Sequence, residues 1–208
     1  MRRLLPLVAI VALLAGATLE AMDARLVEIR AIGPTVRATV DLRDVFSQKF
    51  REILAAGGAL HVRIQMELWE DRPVWDRLVQ PAIVTVFRIV RDPATSQIAV
   101  SDAVGLVQTW AAPPDPMSLR VDVAPASAVA DDARYYLRAV ATVGTIAEKD
   151  IAHAGDAVFG QDDGSVSLGR MGRMIFNAVL QATDYLQSVT AEAGSGKLTG
   201  RQVKSPPR

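Results

Sequence analysis

Only two side chains in this sequence titrate near neutrality, His61 and His153, and there is no cysteine, so the residues able to do acid, base or metal chemistry are few. His153 lies in Asp150-Ile151-Ala152-His153-Ala154-Gly155-Asp156. If that stretch made a helical turn, Asp150, His153 and Asp156 would share a face and form a weak candidate set for a divalent cation. His61 falls on the polar side of an alternating strand, which places it in water. A serine nucleophile would need an activated setting, yet no Gly-x-Ser-x-Gly elbow occurs. In Gly164-Ser165-Val166-Ser167 the hydroxyls suit a helix cap better. Gly194-Ser195-Gly196-Lys197-Leu198-Thr199 has the look of a phosphate loop, but Ala191 stands at the leading glycine and Leu198 after the lysine. Asp162-Asp163-Gly164 and Asp131-Asp132 read as turns that would hold calcium only if the fold brought them together. No cofactor is expected.

Aromatic residues offer a different chemistry. Trp69 ends a strand with outward parity, and Glu70-Asp71-Arg72-Pro73-Val74-Trp75-Asp76 follows as a polar corner. Large rigid rings at such places favour recognition, because they bury much area at a small cost in side-chain entropy. Trp69, Asp71, Arg72, Trp75 and Asp76 are therefore the candidate binding residues, with Trp110 a third ring of undecided role.

The elements that position these residues follow from periodicity. Leu60, Val62, Ile64, Met66 and Leu68 alternate with His61, Arg63, Gln65, Glu67 and Trp69, the pattern of a strand with one buried face. Two strands on either side of Gly33-Pro34 form a hairpin, and Asp44 opens a short helix carrying Phe46, Phe50, Ile53 and Leu54 to Gly57-Gly58. Further strands are expected at Ala82 to Val90, Gln97 to Val100, Leu119 to Val123 and Tyr135 to Ile146. Many short strands with one short inserted helix predict a mainly β chain, an antiparallel β-sandwich of immunoglobulin-like or similar kind, over residues 25–146. Four-three spacing of Met171, Ile175, Ala178, Ala182, Tyr185 and Val189 predicts an amphipathic helix from Leu168 to Val189 within residues 147–190. It would pack on its own domain or on a partner. Residues 191–208, with four basic side chains beyond Gly196 and Pro206-Pro207, are expected to be a disordered basic tail.

Met1-Arg2-Arg3 before the apolar run Leu4 to Leu14 and Ala15-Gly16-Ala17 reads as a secretory signal peptide, cleaved after Ala17 or Ala21. The run is shorter than the roughly twenty residues of a membrane span, so an uncleaved anchor over residues 4–17 is the alternative. With 23 basic and 23 acidic residues the chain has no clustered positive charge for nucleic acid. The location expected is the periplasm or beyond, or else the inner membrane through the N-terminal segment alone.

Asp41-Leu42-Arg43-Asp44-Val45-Phe46, the helix to Gly58, the strand into Glu67-Leu68-Trp69, Trp75-Asp76 and Tyr135-Tyr136-Leu137-Arg138-Ala139 resemble an uncharacterised family of exported bacterial domains, domain of unknown function 4390. The likeness covers about residues 25–146. It implies a β-rich fold outside the inner membrane and carries no activity to transfer, and the helix after residue 168 departs from the strand-rich ending that family would have. Together these readings give a non-enzymatic exported sandwich that binds or scaffolds another envelope protein. The competing readings are a periplasmic hydrolase or metal-dependent enzyme using His153, and an inner-membrane-anchored structural domain. The oligomeric state is not encoded in any of these features.

Overall fold

The computed structural model describes residues 22–145 and 187–205. They form an antiparallel β-sandwich, as the alternating patterns predict. The smaller sheet has the order β1-β2-β8, from β1 (Asp23–Ile32), β2 (Thr35–Arg43) and β8 (Met117–Pro125). In the larger sheet the order is β10-β9-β3-β5-β6-β7, from β3 (Ala59–Asp71), β5 (Ile83–Arg91), β6 (Ile98–Ser101), β7 (Leu106–Trp110), β9 (Arg134–Thr145) and β10 (Gln187–Gly194). Two-residue strands extend it, β4 (Arg77–Leu78) beside β3 and β11 (Leu198–Thr199) beside β9.

Period two decides what faces inward. Val36, Ala38, Val40 and Leu42 of β2, Leu60, Val62, Ile64, Met66 and Leu68 of β3, and Leu119, Val121 and Val123 of β8 are all buried in one core. Tyr135, Leu137, Ala139, Ala141 and Val143 of β9 join them from the central strand pair. Helix α1 (Gln48–Ala55) closes one end of this core with Phe50 and Leu54. Its cap is Ser47, whose hydroxyl accepts from Phe50 N at 3.4 Å, and not Asp44, which sits in the left-handed region at φ 55°. Gly57, at φ 83°, lets the chain leave the helix where a side chain would be strained.

Two expectations about the C-terminal part need correction. Residues 187–189 continue a strand, not a helix: β10 pairs with β9 from Gln187↔Thr145 to Gly194↔Arg138. Val189, Ala191 and Ala193 lie on the inward side at spacing two, and eight residues of ladder to β9 outweigh the weak helical spacing that reached Val189 from upstream. Nor are residues 191–205 a disordered tail. Leu198–Thr199 pairs with Tyr135 and Arg134, and helix α2 (Gly200–Lys204) buries Val203 in the core. Thr199 and Gln202 make a capping box, and a methyl group on Gly200 would run into the Ala130 carbonyl. The basic side chains that suggested disorder are ion-pair partners: Lys197 holds Asp71 at 2.7 Å and Lys204 holds Asp131 at 2.7 Å. The amphipathic helix expected over residues 168–186 lies outside the described residues, as does the leader. Among the described residues no helix is long and apolar enough to cross a membrane.

Candidate functional site

Strand β3 runs past the end of β5, whose last partner is Met66↔Ile83, so Leu68 to Asp71 project beyond it. The chain turns through residues 72–76 and returns as β4, pairing Leu78 with Trp69 and Arg77 with Glu70, and Val79 N donates to Leu68 O at 2.8 Å. The corner is thus a hairpin grown on the end of a strand that is buried at its base.

Its side chains are tied together from inside. Glu70, whose side chain is only 14% exposed, accepts from Arg72 at 3.0 and 3.1 Å and from Arg77 at 2.9 and 2.6 Å. The Arg72 hydrogen bond, seconded by Arg77 and opposed by burial, holds its carboxyl below the usual range, and the Arg72 guanidinium is raised in return. Asp76 accepts from the Tyr136 hydroxyl at 2.7 Å and from Arg72 N at 3.3 Å. Its carboxyl is lowered, mainly by the Tyr136 hydroxyl, and that phenol is raised by the same bond. Asp71 is anchored sideways by Lys197. Asp71, Arg72 and Asp76 therefore fix the corner.

Trp69 has the outward parity expected of it, is half-buried, and donates its indole N–H to Glu67 Oε2 at 2.9 Å. Trp75 is different: it is 82% exposed, and Val74 beside it 79%. An apolar pair at the tip of a braced turn is an unusual use of surface. The structure thus divides the two rings between a sheet face and a loop tip. Trp110 is half-buried and packs against the core.

The remaining candidates fare less well. His61 does lie on the outer side of β3, opposite Arg88 and Gly144, but it is 3% exposed, so its placement in water is corrected. Parity gives the side of a sheet and not what neighbours cover there. Burial, with a smaller push from Arg88, lowers its pKa to about 4, and neither ring nitrogen has a partner among the described residues. Asp131 and Asp132 pair with Lys204 and Arg201, so they face cations of the chain itself. Ser195, in the loop with the look of a phosphate site, binds the β9 backbone, accepting from Leu137 N at 2.8 Å. Asp150, His153, Asp156, Asp162-Asp163-Gly164, Ser165 and Ser167 lie outside the described residues. Among those described, no group of three His, Cys, Asp or Glu is placed to hold a metal.

Sequence reasoning missed Tyr136, Arg138, Lys197 and Glu192 as parts of this region. Signals for three of them existed. Arg134, Tyr136, Arg138, Val140 and Thr142 alternate with apolar residues just as the polar side of β3 does, and Ser188, Thr190 and Glu192 alternate with Val189, Ala191 and Ala193. No family model, curated protein or solved structure matches this chain.

Proposed function

We propose that this chain is an exported, non-enzymatic β-sandwich that binds another component of the cell envelope through the corner between Trp69 and Asp76. The observation that carries the reading is the exposed pair Val74 and Trp75 on a turn whose base is held by Glu70, Asp76, Tyr136 and Lys197. A turn already fixed in place loses little freedom on association, so the area of the indole counts toward affinity. The N-terminal pattern of residues 1–17 supports export, and the likeness of residues 25–146 to exported bacterial domains agrees with it.

Affinity capture from envelope extract tests the reading, with the wild type beside Trp75→Ala and Trp69→Ala. A component recovered by the wild type and lost from Trp75→Ala is the result expected. Equal recovery by all three proteins would remove the corner from consideration. Intact mass of the protein from the envelope should show loss of the first 17 or 21 residues, and a full-length mass would favour an anchored N-terminus instead.

A further inference from the structure

The outward positions of β3, β9 and β10 converge on one groove of about 370 Å³, lined by Gln65 and Glu67 from β3, Arg138 and Val140 from β9, and Glu192 from β10. Register explains the convergence: Glu67 is opposite Arg138, and Val140 is opposite both Gln65 and Glu192. Gly194, opposite Arg138, leaves the edge of the groove open because it has no side chain. One outward step along the same strands, Trp69 stands opposite Tyr136. Carboxylates fix both rings, with Glu67 accepting from the indole N–H and Asp76 from the phenol. One same-face pair beyond the groove lining, the two rings thus stand side by side, held in place by hydrogen bonds.

Along β3 the polar groups form a line: Arg63 reaches Gln65 at 3.5 Å, Gln65 reaches Glu67 at 3.5 Å, and Trp69 closes on Glu67 from the other side. Across the groove Arg138 and Glu192 are exposed and make no hydrogen bond or ion pair among the described residues. The groove thus presents a guanidinium and a carboxylate, both able to bind two neighbouring atoms at once, beside an aromatic surface.

That combination suits a ligand with an apolar face and a rim of paired hydroxyls. A pyranose ring offers both: its C–H face lies on aromatic carbon, and its vicinal hydroxyls meet planar groups of opposite polarity. A peptide strand is served less well. β9 is paired on both sides by β10 and β3, and β3 by β9 and, as far as Met66, by β5, so these two strands offer no free backbone ladder on the groove floor. The groove also falls within the volume range of small-ligand sites. We infer that the outer face of the large sheet is a saccharide-binding groove, in which Arg138 and Glu192 bind the hydroxyl rim and Trp69 and Tyr136 carry the ring face. The inference goes beyond the envelope-binding reading above: it gives the sheet face beside the corner a ligand of its own, a chain of sugar rings, whose contacts do not include Trp75.

A glycan array of neutral, amino-sugar and uronic-acid oligosaccharides probes the full chain directly, with Arg138→Ala, Glu192→Gln, Trp69→Phe and Trp75→Ala in parallel. The expected result is retention on at least one glycan class, weakened about tenfold by Arg138→Ala and by Glu192→Gln and unaffected by Trp75→Ala. Trp69→Phe keeps an aromatic face, though a smaller one, and loses the N–H that meets Glu67, so binding should fall less than for either charge variant. Far-ultraviolet circular dichroism and a melting curve for each variant separate lost binding from lost folding, and Glu192→Gln, on an exposed edge, should melt as the wild type does. No retention on any glycan, or retention indifferent to both charge changes, would overturn the groove. A protein captured through Trp75 together with an empty array would end the saccharide proposal and leave the corner reading standing. An empty array with no capture would end both.

Discussion

The Tyr136 hydroxyl donates to Oδ2 of Asp76 at 2.7 Å, joining the start of β9 to the far side of the turn that carries Trp75. Asp76 also accepts from Arg72 N, so one carboxylate spans the turn and fastens it to a strand sixty residues later in the chain. The contact ties the turn to β9, as the β3–β4 pairs tie it to β3.

Tyr136→Phe should therefore loosen the turn while leaving the core intact. The Asp76 carboxyl is lowered chiefly by this bond, so its contribution is present above the ordinary carboxylate range and is lost as pH falls through the lowered value. Carboxyl-resolved NMR titration should show Asp76 moving back toward the ordinary range in Tyr136→Phe, and amide exchange at Arg72 should quicken. An unchanged Asp76 titration would mean that the hydroxyl is not what holds it.

Glu70 bears on the same turn from within. Replacing it by Gln keeps the shape but leaves Arg72 and Arg77 with a weaker acceptor. Because both arginines are about half exposed, the cost to stability should be about 1 kcal/mol or less. The consequence for Trp75 should be larger than that for the fold, visible as faster depolarisation of its fluorescence in a protein whose other two tryptophans are replaced by Phe. A loss of several kcal/mol in urea unfolding would show that the pair is structural and not local.

His61 gives the domain a dependence on acidity. Its folded pKa of about 4 lies below the ordinary 6.5, chiefly through burial, so the unfolded chain takes up the proton first. Nothing is lost above pH 6.5. Between 6.5 and about 4 stability falls, by at most about 3 kcal/mol once both values are passed. Urea unfolding at pH 7 and at pH 4.5 should show a fall that is smaller in His61→Leu, although other groups add to both. Parallel losses in the two proteins would contradict the assignment.

The C-terminal segment should count in stability as the core does. Val203 is 1% exposed and Thr199 caps its helix, so Thr199→Ala should cost about 1 kcal/mol and Val203→Ala about 2. Thermal unfolding of these variants, and of a chain ending at Gly196, measures this. Should the shortened chain melt with the full one, the docking of α2 contributes nothing.

What the sequence discloses and what it hides divide along range. Strand β3 was plain because Leu60 to Leu68 alternate without a break, and that same alternation put Trp69 on the outer face. Helix α1 followed from Phe50 and Leu54 a turn apart and from the glycines behind them. By contrast β10 owes its conformation to β9, whose partner residues lie about fifty positions away, and its Val189 also fitted a helical spacing. Composition misled in the same way: lysines and arginines after Gly196 signify disorder only if no carboxylate waits for them, and Asp71 and Asp131 do. At the candidate site the local half, Glu70 to Asp76, was legible as a polar break. Tyr136, Arg138 and Glu192 became visible only with the register that sets β9 beside β3 and β10.

Thr145 and Gln187 face one another as partners at the foot of the β9 and β10 ladder. β9 therefore ends and β10 begins at adjacent points, about 5 Å apart. Closure of such a gap costs little more for a long excursion than for a short one. The eight-pair ladder from Thr145↔Gln187 to Arg138↔Gly194 thus sets the register of these two strands whatever the length of chain that joins them.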